Sequence, residues 1–238
     1  MPGNKVETLS VFMPAYNEEK NVGKTIEQVL KVLQTLNLRS YEVIVVNDGS
    51  KDNTAGVVEE WEKKDKHVKL VNHDQNKGYG EAVKTGIYSA KYDFLVFIDS
   101  DGQFDFSDIT KFIDRIESEN VDIVVGYRVN RKDSLMRIFN GWGWTQLANI
   151  LFGLGVKDVD CAFKLFDRKV IDTIPHLEST RGAMINPELL AKSKKANFKI
   201  VQVGVRHLPR IEGQQTGAHF RVIAKSFIDL IKLWWKIR

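Results

Sequence analysis

Cysteine is almost absent from this chain of 238 residues, in which Cys161 is the only example. A single cysteine cannot close an intramolecular disulfide, and it cannot build a cysteine-based zinc site. This scarcity favours a reducing compartment and excludes a structural metal cage made of thiolates. Hydrophobic residues make up 43% of the chain, which is typical of a folded globular protein and too high for a disordered one.

Long apolar runs are also missing. The first residues carry no apolar signal-peptide core, and the first apolar run, residues 9–13, has the length of a strand. The one long uncharged stretch, residues 138–156, contains four glycines together with asparagine, threonine and glutamine, a polarity that disfavours a membrane span. We expect a cytoplasmic protein whose contact with a membrane, if it has one, is peripheral and at the cytoplasmic face.

Acidic residues are scarce in the last fifth of the chain. The formal net charge is only +4, but residues 191–238 hold eleven basic and two acidic side chains, a net +9, which leaves −5 for the first 190 residues. This basic end lacks an RNA-recognition or helix-turn-helix signature, and the acidic loops described below would repel a phosphate backbone. We therefore expect no nucleic-acid partner.

Short apolar runs alternate with helix-compatible segments, a pattern that predicts an α/β fold with a parallel sheet flanked by helices. In such a sheet the ligand lies beyond the carboxyl ends of the strands, so the loops there are the candidates for chemistry. The pattern predicts strands over residues 9–13, 41–46, 68–71, 94–98, 123–125 and 199–205, and helices over residues 18–38, 54–64, 80–90, 136–152 and 221–238.

Two carboxylates directly follow the apolar strand 94–98, in the motif Asp99-Ser100-Asp101-Gly102-Gln103. Two acids at the end of an apolar strand carry a desolvation cost unless a positive charge lies beside them. Asp99, Asp101 and the amide oxygen of Gln103 offer the hard oxygen ligands that Mg²⁺ or Mn²⁺ prefers. An isolated D-x-D is usually a solvated loop, but its position here favours a metal site.

Acidic and amide side chains also follow the first two strands, in the runs P-A-Y-N-E-E and N-D-G-S. Each run alone is compatible with ordinary turn and helix-cap chemistry. Three acidic loops at one edge of a sheet would repel one another, which is tolerable if they bind hydroxyls, a base edge and a metal-bound anion. The arrangement therefore favours a nucleotide ligand.

The chain resembles the family 2 glycosyltransferases over residues 9–217, because five motifs stand in the family's order: P-A-Y-N-E-E, V-N-D-G-S, N-K-G-Y-G-E-A, D-S-D-G-Q and D-V-D-C-A-F-K-L-F. Within the family it resembles the branch of dolichyl-phosphate mannose synthase-like enzymes, which use polyprenyl phosphates. The resemblance implies a GT-A fold over residues 1–217, which is Rossmann-like with a mostly parallel sheet. It also implies a nucleotide-diphosphate sugar donor bridged by Mg²⁺ or Mn²⁺.

The resemblance implies a donor site along the first four strands. Glu188 matches a glutamate of the family and has either a binding or a structural role, and the loop around Lys77 is either nucleotide-adjacent or a plain turn. The residues implied are Pro14, Tyr16 and Glu18 for base and ribose, Asp48 for the nucleobase, Lys77, Gly78 and Gly80 for the loop beside it, and Asp99, Ser100, Asp101 and Gln103 for metal and diphosphate.

The resemblance also implies an arginine cluster that binds both the diphosphate of the donor and the phosphate of the acceptor lipid. Its members are Arg128 and Arg210 as catalytic residues, with Arg137 in addition, and Arg128 with the metal is expected to stabilise the departing nucleoside diphosphate. A lipid phosphate is already ionised near neutral pH, so the resemblance implies a one-step inverting displacement that needs no base. A glycan or other hydroxyl acceptor would require a base, for which Asp158 and Asp160 are the candidates. Both acceptors stay open, and so does a non-catalytic nucleotide-sugar-binding protein, although the presence of both Asp99 and Asp101 argues against it.

The motif after residue 157 departs from the mannose synthases, which often show Ser-Gly-Phe-Arg where this chain has Cys-Ala-Phe-Lys. The departure leaves mannose and dolichol specificity open. Residues 218–238 form a basic amphipathic helix that either docks on the domain or lies at a membrane interface. The helix over residues 136–152, which bears Trp142 and Trp144, is a second candidate for contact with a bilayer or a lipid chain.

Overall fold

The computed structural model describes residues 5–131, 135–180, 182–210 and 220–237. Within these residues the strands are β1 (Thr8–Ala15), β2 (Ser40–Asn47), β3 (Val68–Asn72), β4 (Phe94–Phe97), β5 (Ile123–Val129), β6 (Lys164–Asp167) and β7 (Ile200–Arg206). The helices are α1 (Val22–Leu33), α2 (Thr54–Lys64), α3 (Tyr79–Ser89), α4 (Ile109–Glu119), α5 (Leu135–Phe152), α6 (Arg168–Thr173), α7 (Ile185–Lys195) and α8 (Phe220–Ile237).

The strands form one sheet in the order β3-β2-β1-β4-β6-β5-β7. All neighbouring strands are parallel except β6, which runs antiparallel to both β4 and β5. Helices cover the sheet, so every residue of β1 is buried, and residues 11–15 form a continuous apolar run because both faces of the strand are covered. The expected α/β fold with a mostly parallel sheet is confirmed.

The helices that flank the first strands bury regular stripes. In α1 the buried residues recur at helical spacing, from Val22 and Ile26 to Val29 and Leu33. α3 crosses β1 so closely that a Cβ on Gly86 would lie 2.4 Å from the Phe12 ring. The first half of the sequence therefore folds as its periodicity predicts.

The reversed strand β6 positions the second half of the site. Lys164, its first residue, pairs with Phe97 of β4 on one side and with Val125 of β5 on the other. The start of β6 therefore lies at the same edge as the carboxyl ends of its neighbours. The loop that enters β6, residues 158–163, meets the loops that leave β1, β2, β4 and β5 at this edge.

The C-terminal helix α8 contacts α5 and α7. On its inner side Leu230 and Leu233 are buried, and Lys236 pairs with Glu178. On its outer side Trp235 is 68% exposed. α8 thus has one docked face and one face that carries exposed apolar side chains. Among the described residues, no helix combines the length and the apolar character that a membrane span requires.

Candidate active site

Asp48 follows β2, where its carboxylate fixes the loop after β3. Its Oδ1 atom accepts a hydrogen bond from the amide of Lys77 at 2.9 Å and contacts Nδ1 of His73 at 2.7 Å, and its Oδ2 atom accepts one from the amide of Gly78 at 2.9 Å. The Lys77 side chain is exposed. The residue expected at the nucleobase therefore also shapes the loop beside it.

Gly78 and Gly80 are required because this loop lies directly against residues 179–180. Gly78 has a φ of 97°, which favours glycine, and a Cβ there would lie 2.8 Å from the carbonyl oxygen of Thr180. A Cβ on Gly80 would lie 2.7 Å from the carbonyl oxygen of Ser179. Any larger residue at either position would push the loop away from its support.

Glu188 holds that support in place from the buried side of α7. Its carboxylate accepts hydrogen bonds from the amides of Glu178 at 2.9 Å and Ser179 at 2.7 Å, and from the Lys192 ammonium at 2.6 Å. Burial would raise the pKa of Glu188, but these bonds outweigh burial and hold it below its ordinary value. In this structure Glu188 has the structural one of its two expected roles.

Ser100, in the D-x-D motif, and Pro14, in β1, are both buried and join these two parts of the chain. The Ser100 hydroxyl donates to the carbonyl of Pro14 at 2.7 Å, and its own carbonyl accepts from the hydroxyl of Thr25 at 2.9 Å. Tyr16 is half-buried just beyond β1. The Ser100 side chain therefore ties the two strand ends together, a contact that its expected substrate-binding role did not include.

Asp99 and Asp101 are electrostatically unfavourable neighbours. Burial, with the nearby charge of Asp101, raises the pKa of Asp99 to about 7, and burial also raises the pKa of Asp101. Two half-desolvated carboxylates with raised pKa values are the environment that a divalent cation would relieve. Their oxygens and the amide oxygen of Gln103 are the ligand type that Mg²⁺ or Mn²⁺ prefers, so Asp99, Asp101 and Gln103 stay the predicted metal ligands.

Tyr79 is a site residue that the sequence reasoning missed. Its hydroxyl donates a hydrogen bond of 2.9 Å to Oδ1 of Asp99, and burial followed by the Asp99 charge raises the pKa of Tyr79 well above its ordinary value. The tyrosine is therefore a permanent donor to the first carboxylate of the motif. Its place between two glycines was the only signal available, and that signal indicates a turn rather than a contact.

Arg210 connects the loops that follow β1 and β4. Its guanidinium donates to a carboxylate oxygen of Glu18 and lies 3.4 Å from Oδ2 of Asp101. Burial raises the pKa of Glu18 in spite of this neighbour and of a hydrogen bond from Asn21. The structure thus brings Arg210, Glu18 and Asp101 together, although they are far apart in sequence.

Arg128 and Asp158 form a bidentate pair at the end of β5. Nε of Arg128 donates to Oδ2 of Asp158 at 2.6 Å, and Nη2 donates to Oδ1 at 2.8 Å. Burial would raise the pKa of Asp158, but the two bonds and the charge of Arg128 hold it below its ordinary value. Among the described residues, no hydrogen bond engages Nη1 of Arg128, which leaves that edge of the guanidinium for a ligand.

Asp160 has the opposite character to Asp158. Burial, followed by the charge of Asp158, raises the pKa of Asp160 to about 6, and its Oδ1 accepts a hydrogen bond of 3.1 Å from the indole of Trp144. The two candidate bases therefore differ: Asp158 is a committed ion-pair partner, whereas Asp160 titrates near neutral pH.

Lys164 is a second residue that the sequence reasoning missed. It is fully buried at the start of β6, where its ammonium donates to the carbonyls of Val159 and Cys161 and to the side-chain oxygen of Asn186. Arg137, in the first turn of α5, is exposed, and its charge helps to lower the pKa of Asp101. The buried Lys164 and the exposed Arg137 therefore both contribute positive charge at this edge of the sheet.

The sequence model described as glycosyl transferase family 2 matches residues 10–174. The chain belongs to glycosyltransferase family 2. The matched region runs from β1 to the end of α6, so it contains the D-x-D motif, Arg128 and the loop that enters β6. The expected membership is confirmed.

Two relatives of this family 2 glycosyltransferase cover most of the chain. A dolichyl-phosphate beta-glucosyltransferase of Dictyostelium discoideum is 33% identical over 83% of this chain and 65% of its own length, so the chain spans about two thirds of that relative. An uncharacterized protein of Methanocaldococcus jannaschii is 36% identical over 93% of this chain and 98% of its own length. The named relative is a glucosyltransferase, whereas the motifs alone suggested the mannose synthases.

A solved structure supports the GT-A fold of this family 2 glycosyltransferase. Glucosyl-3-phosphoglycerate synthase from Mycobacterium tuberculosis, crystallised with Mn²⁺ and uridine-diphosphate-glucose, superposes with a TM-score of 0.73 at 19% identity and covers 95% of this chain and 79% of its own. The likeness confirms the expected fold.

Proposed function

We propose that this family 2 glycosyltransferase moves glucose from a nucleotide-diphosphate sugar to a polyprenyl phosphate at a membrane surface. The observation that carries the proposal is the meeting, at one sheet edge, of the Asp99–Asp101 pair with the guanidinium groups of Arg128 and Arg210. Carboxylates suit a metal-bound diphosphate, and guanidinium groups suit phosphate oxygens. The name of the Dictyostelium relative supports glucose as the sugar and dolichyl phosphate as the acceptor.

On the donor side, Asp99, Asp101 and Gln103 would hold Mg²⁺ or Mn²⁺, which would neutralise charge on the diphosphate. Tyr16 and Glu18 line the base and ribose, while Asp48 and the loop at Lys77, Gly78 and Gly80 bound the nucleobase. Pro14, which was expected beside them, is buried in β1 and supports this edge from inside. Glu188 and Ser100 support these loops from inside.

On the acceptor side, an ionised phosphate oxygen attacks the anomeric carbon as the bond from that carbon to the diphosphate oxygen breaks. The electron pair of the broken bond leaves with the nucleoside diphosphate, and attack from the opposite face inverts the centre. No proton is transferred, so no base is required. Arg128, Arg210 and Arg137 neutralise the phosphates, which is where preorganised charge lowers the barrier most.

A second candidate is transfer to a hydroxyl acceptor. It is favoured by Asp160, whose pKa of about 6 suits a general base working near neutral pH. In this case Asp160→Asn would remove turnover while the donor still binds. With a phosphate acceptor, the same variant would keep most of its turnover.

The membrane contact rests on the exposed apolar side chains of α5 and α8. Leu135 and Ile150 on α5 are 85% and 78% exposed, and Trp142 and Trp235 add aromatic rings of the kind that sit at a lipid interface. Lys232 and Lys236 of α8 are also exposed, but they pair with Asp229 and Glu178 on its docked side, so the apolar side chains carry the argument. We propose that these two helices lie on the lipid surface that contains the acceptor.

The test incubates the purified chain with a polyprenyl phosphate and labelled UDP-glucose, GDP-glucose, GDP-mannose or a hexose control, with and without Mn²⁺. Acid-labile glucosyl lipid, formed only with metal and abolished by Asp101→Asn, is the expected result. Transfer to sugar hydroxyls alone would favour the second candidate, and no transfer from any donor would overturn both. Sedimentation with anionic vesicles tests the surface, which Trp142→Ser with Trp235→Ser should weaken.

A further inference from the structure

α5 faces two ways, and its inner face holds the loop that carries Asp158. The amide side chain of Asn149 donates to the carbonyl of Val156 at 2.8 Å and accepts from its amide at 3.0 Å. The Thr145 hydroxyl accepts from the amide of Val159 at 3.3 Å, and the Trp144 indole donates to Asp160 at 3.1 Å. Four hydrogen bonds thus bind residues 156–160 to one helix.

These contacts surround Asp158 on both sides in the chain. Asp158 in turn fixes two of the three nitrogens of the Arg128 guanidinium. Thr145 is 1% exposed and Trp144 7% exposed, so the bonds lie in a partly dry environment, where geometry is held more tightly than in water. The direction of the Arg128 fork therefore depends on α5, through the loop.

Other groups also touch the loop, but they act at different points. Gln202 of β7 binds Gly155 and Lys157, and Lys164 reaches the carbonyls of Val159 and Cys161. Within the described parts of the chain, α5 contacts both an acidic side chain of the loop, Asp160, and the amide that follows Asp158. α5 is therefore the element that positions Asp158 for its pair with Arg128.

We propose that Trp144, Thr145 and Asn149 are positioning residues, which act through Asp158 to aim the Arg128 guanidinium at the acceptor phosphate. Their side chains bind the loop at Val156, Val159 and Asp160, so they act through it. The proposal rests on the proposed function for the identity of the acceptor, but its geometric part does not. Correct aim of a bidentate group is worth orders of magnitude in rate when the reacting phosphate must be held in line.

The variants remove single hydrogen-bonding groups and keep shape. Thr145→Val loses the hydroxyl, Trp144→Phe loses the indole N–H but keeps a ring against Phe227, and Thr145→Ser restores the hydroxyl. Trp61→Phe on α2 and Thr110→Val on α4 are matched controls far from the loop. We expect the double variant Trp144→Phe with Thr145→Val to lower kcat about tenfold, while the donor Kd stays within about twofold and Thr145→Ser retains wild-type turnover.

A spectroscopic readout separates this inference from the proposed function. The Nε–H resonance of Arg128, assigned by its loss in Arg128→Lys, should exchange slowly with water in the wild type because Asp158 accepts that proton. We expect exchange at least about tenfold faster in the double variant and unchanged exchange in the controls. Unchanged exchange in the double variant would overturn the inference even if the wild type transfers glucose. Faster exchange, with a wild type that transfers nothing, would uphold the inference and refute the proposed function.

Discussion

The donor edge and the acceptor half of the site are built by different means. At the donor edge, Asp101 accepts from the amide of Gln103 and from Arg210, yet burial raises the pKa values of Asp99 and Asp101. In the acceptor half, Arg128 and Asp158 neutralise each other across thirty residues of sequence, and the pKa of Asp158 is lowered. One arginine therefore does not offset the burial of the donor-edge acids, whereas in the acceptor half the bidentate pair with Arg128 outweighs the burial of Asp158.

The largest expected effect comes from breaking the acceptor half. Asp158→Ala leaves the buried Arg128 charge without its partner, so we expect the free energy of unfolding to fall by about 4 kcal/mol, as measured by urea denaturation. Asp172→Ala, an exposed aspartate on α6, is the matched control and should change stability by less than about 0.5 kcal/mol. Equal stability of Asp158→Ala and wild type would mean that the pair is not a structural unit.

Asp99→Asn should have the opposite effect on stability while it removes activity. Because the pKa of Asp99 is raised to about 7, its carboxyl keeps its proton in the folded state between about pH 4 and 7, where the unfolded state has already lost it. Wild-type stability therefore falls as the pH rises through this window, and the asparagine variant avoids this loss. We expect a higher Tm for the variant at pH 8, equal Tm values near pH 4, and glucosyl transfer reduced at least about 100-fold.

Mn²⁺ provides the control for this result. It should raise the Tm of the wild type and leave the Tm of Asp99→Asn unchanged, since the variant lacks one carboxylate of the donor set. If the Tm of Asp99→Asn at pH 8 were lower than that of the wild type, both measured without metal, the electrostatic account of the donor edge would be contradicted.

Glu188→Gln tests the support behind the glycine loop and should have a smaller effect. Because the pKa of Glu188 is lowered, its ionised form stabilises the fold above the ordinary pKa of 4.5, and this stabilisation is lost as the pH falls below it. We expect the free energy of unfolding of the variant to be about 2 kcal/mol lower than that of the wild type at pH 7. This difference in free energy of unfolding, measured by urea denaturation, should become smaller below about pH 4.5. A difference that does not change with pH would exclude the ion pair with Lys192 as its cause.

The smallest expected effect concerns Cys161, which lies next to the acceptor acids. Burial raises the pKa of its thiol to about 12, so little thiolate exists at pH 8. We expect no reaction with iodoacetamide in the native protein and full reaction in urea, followed by mass spectrometry. Rapid native alkylation would show that the loop before β6 opens readily.

The donor edge could be predicted from the sequence because its chemistry is local. Acids that directly follow apolar strands, such as Asp48 and Asp99, must lie at the carboxyl edge once the strands are parallel. Glycine in the loop at Gly78 signals a backbone that only glycine adopts easily. The first half of the fold could be predicted for the same reason, since β1 and β4 are short, mainly apolar strands buried throughout and α1 has one regular buried stripe.

The acceptor half could not be predicted in detail because its contacts are made by tertiary packing. β6 has only four residues and begins with a buried lysine, so no apolar alternation announces it. α7 is buried at nine positions, among them Asn186, Glu188 and Lys192, and it therefore lacks an amphipathic period. The pairing of Arg128 with Asp158 depends on β6, because Asp158 lies in the loop that enters this strand.

The reversal of β6 also has a consequence for recombination between relatives. Since Val125 and Lys164 pair side by side, β5 and β6 are neighbours, and the connection between them, residues 130–163, starts and ends at the same edge of the sheet. Such a segment can be exchanged as a single cassette without altering the order of the remaining strands. Swapping it between family members would transplant α5 together with Asp158 and Asp160, and would ask whether acceptor preference travels with the cassette while sugar preference stays behind.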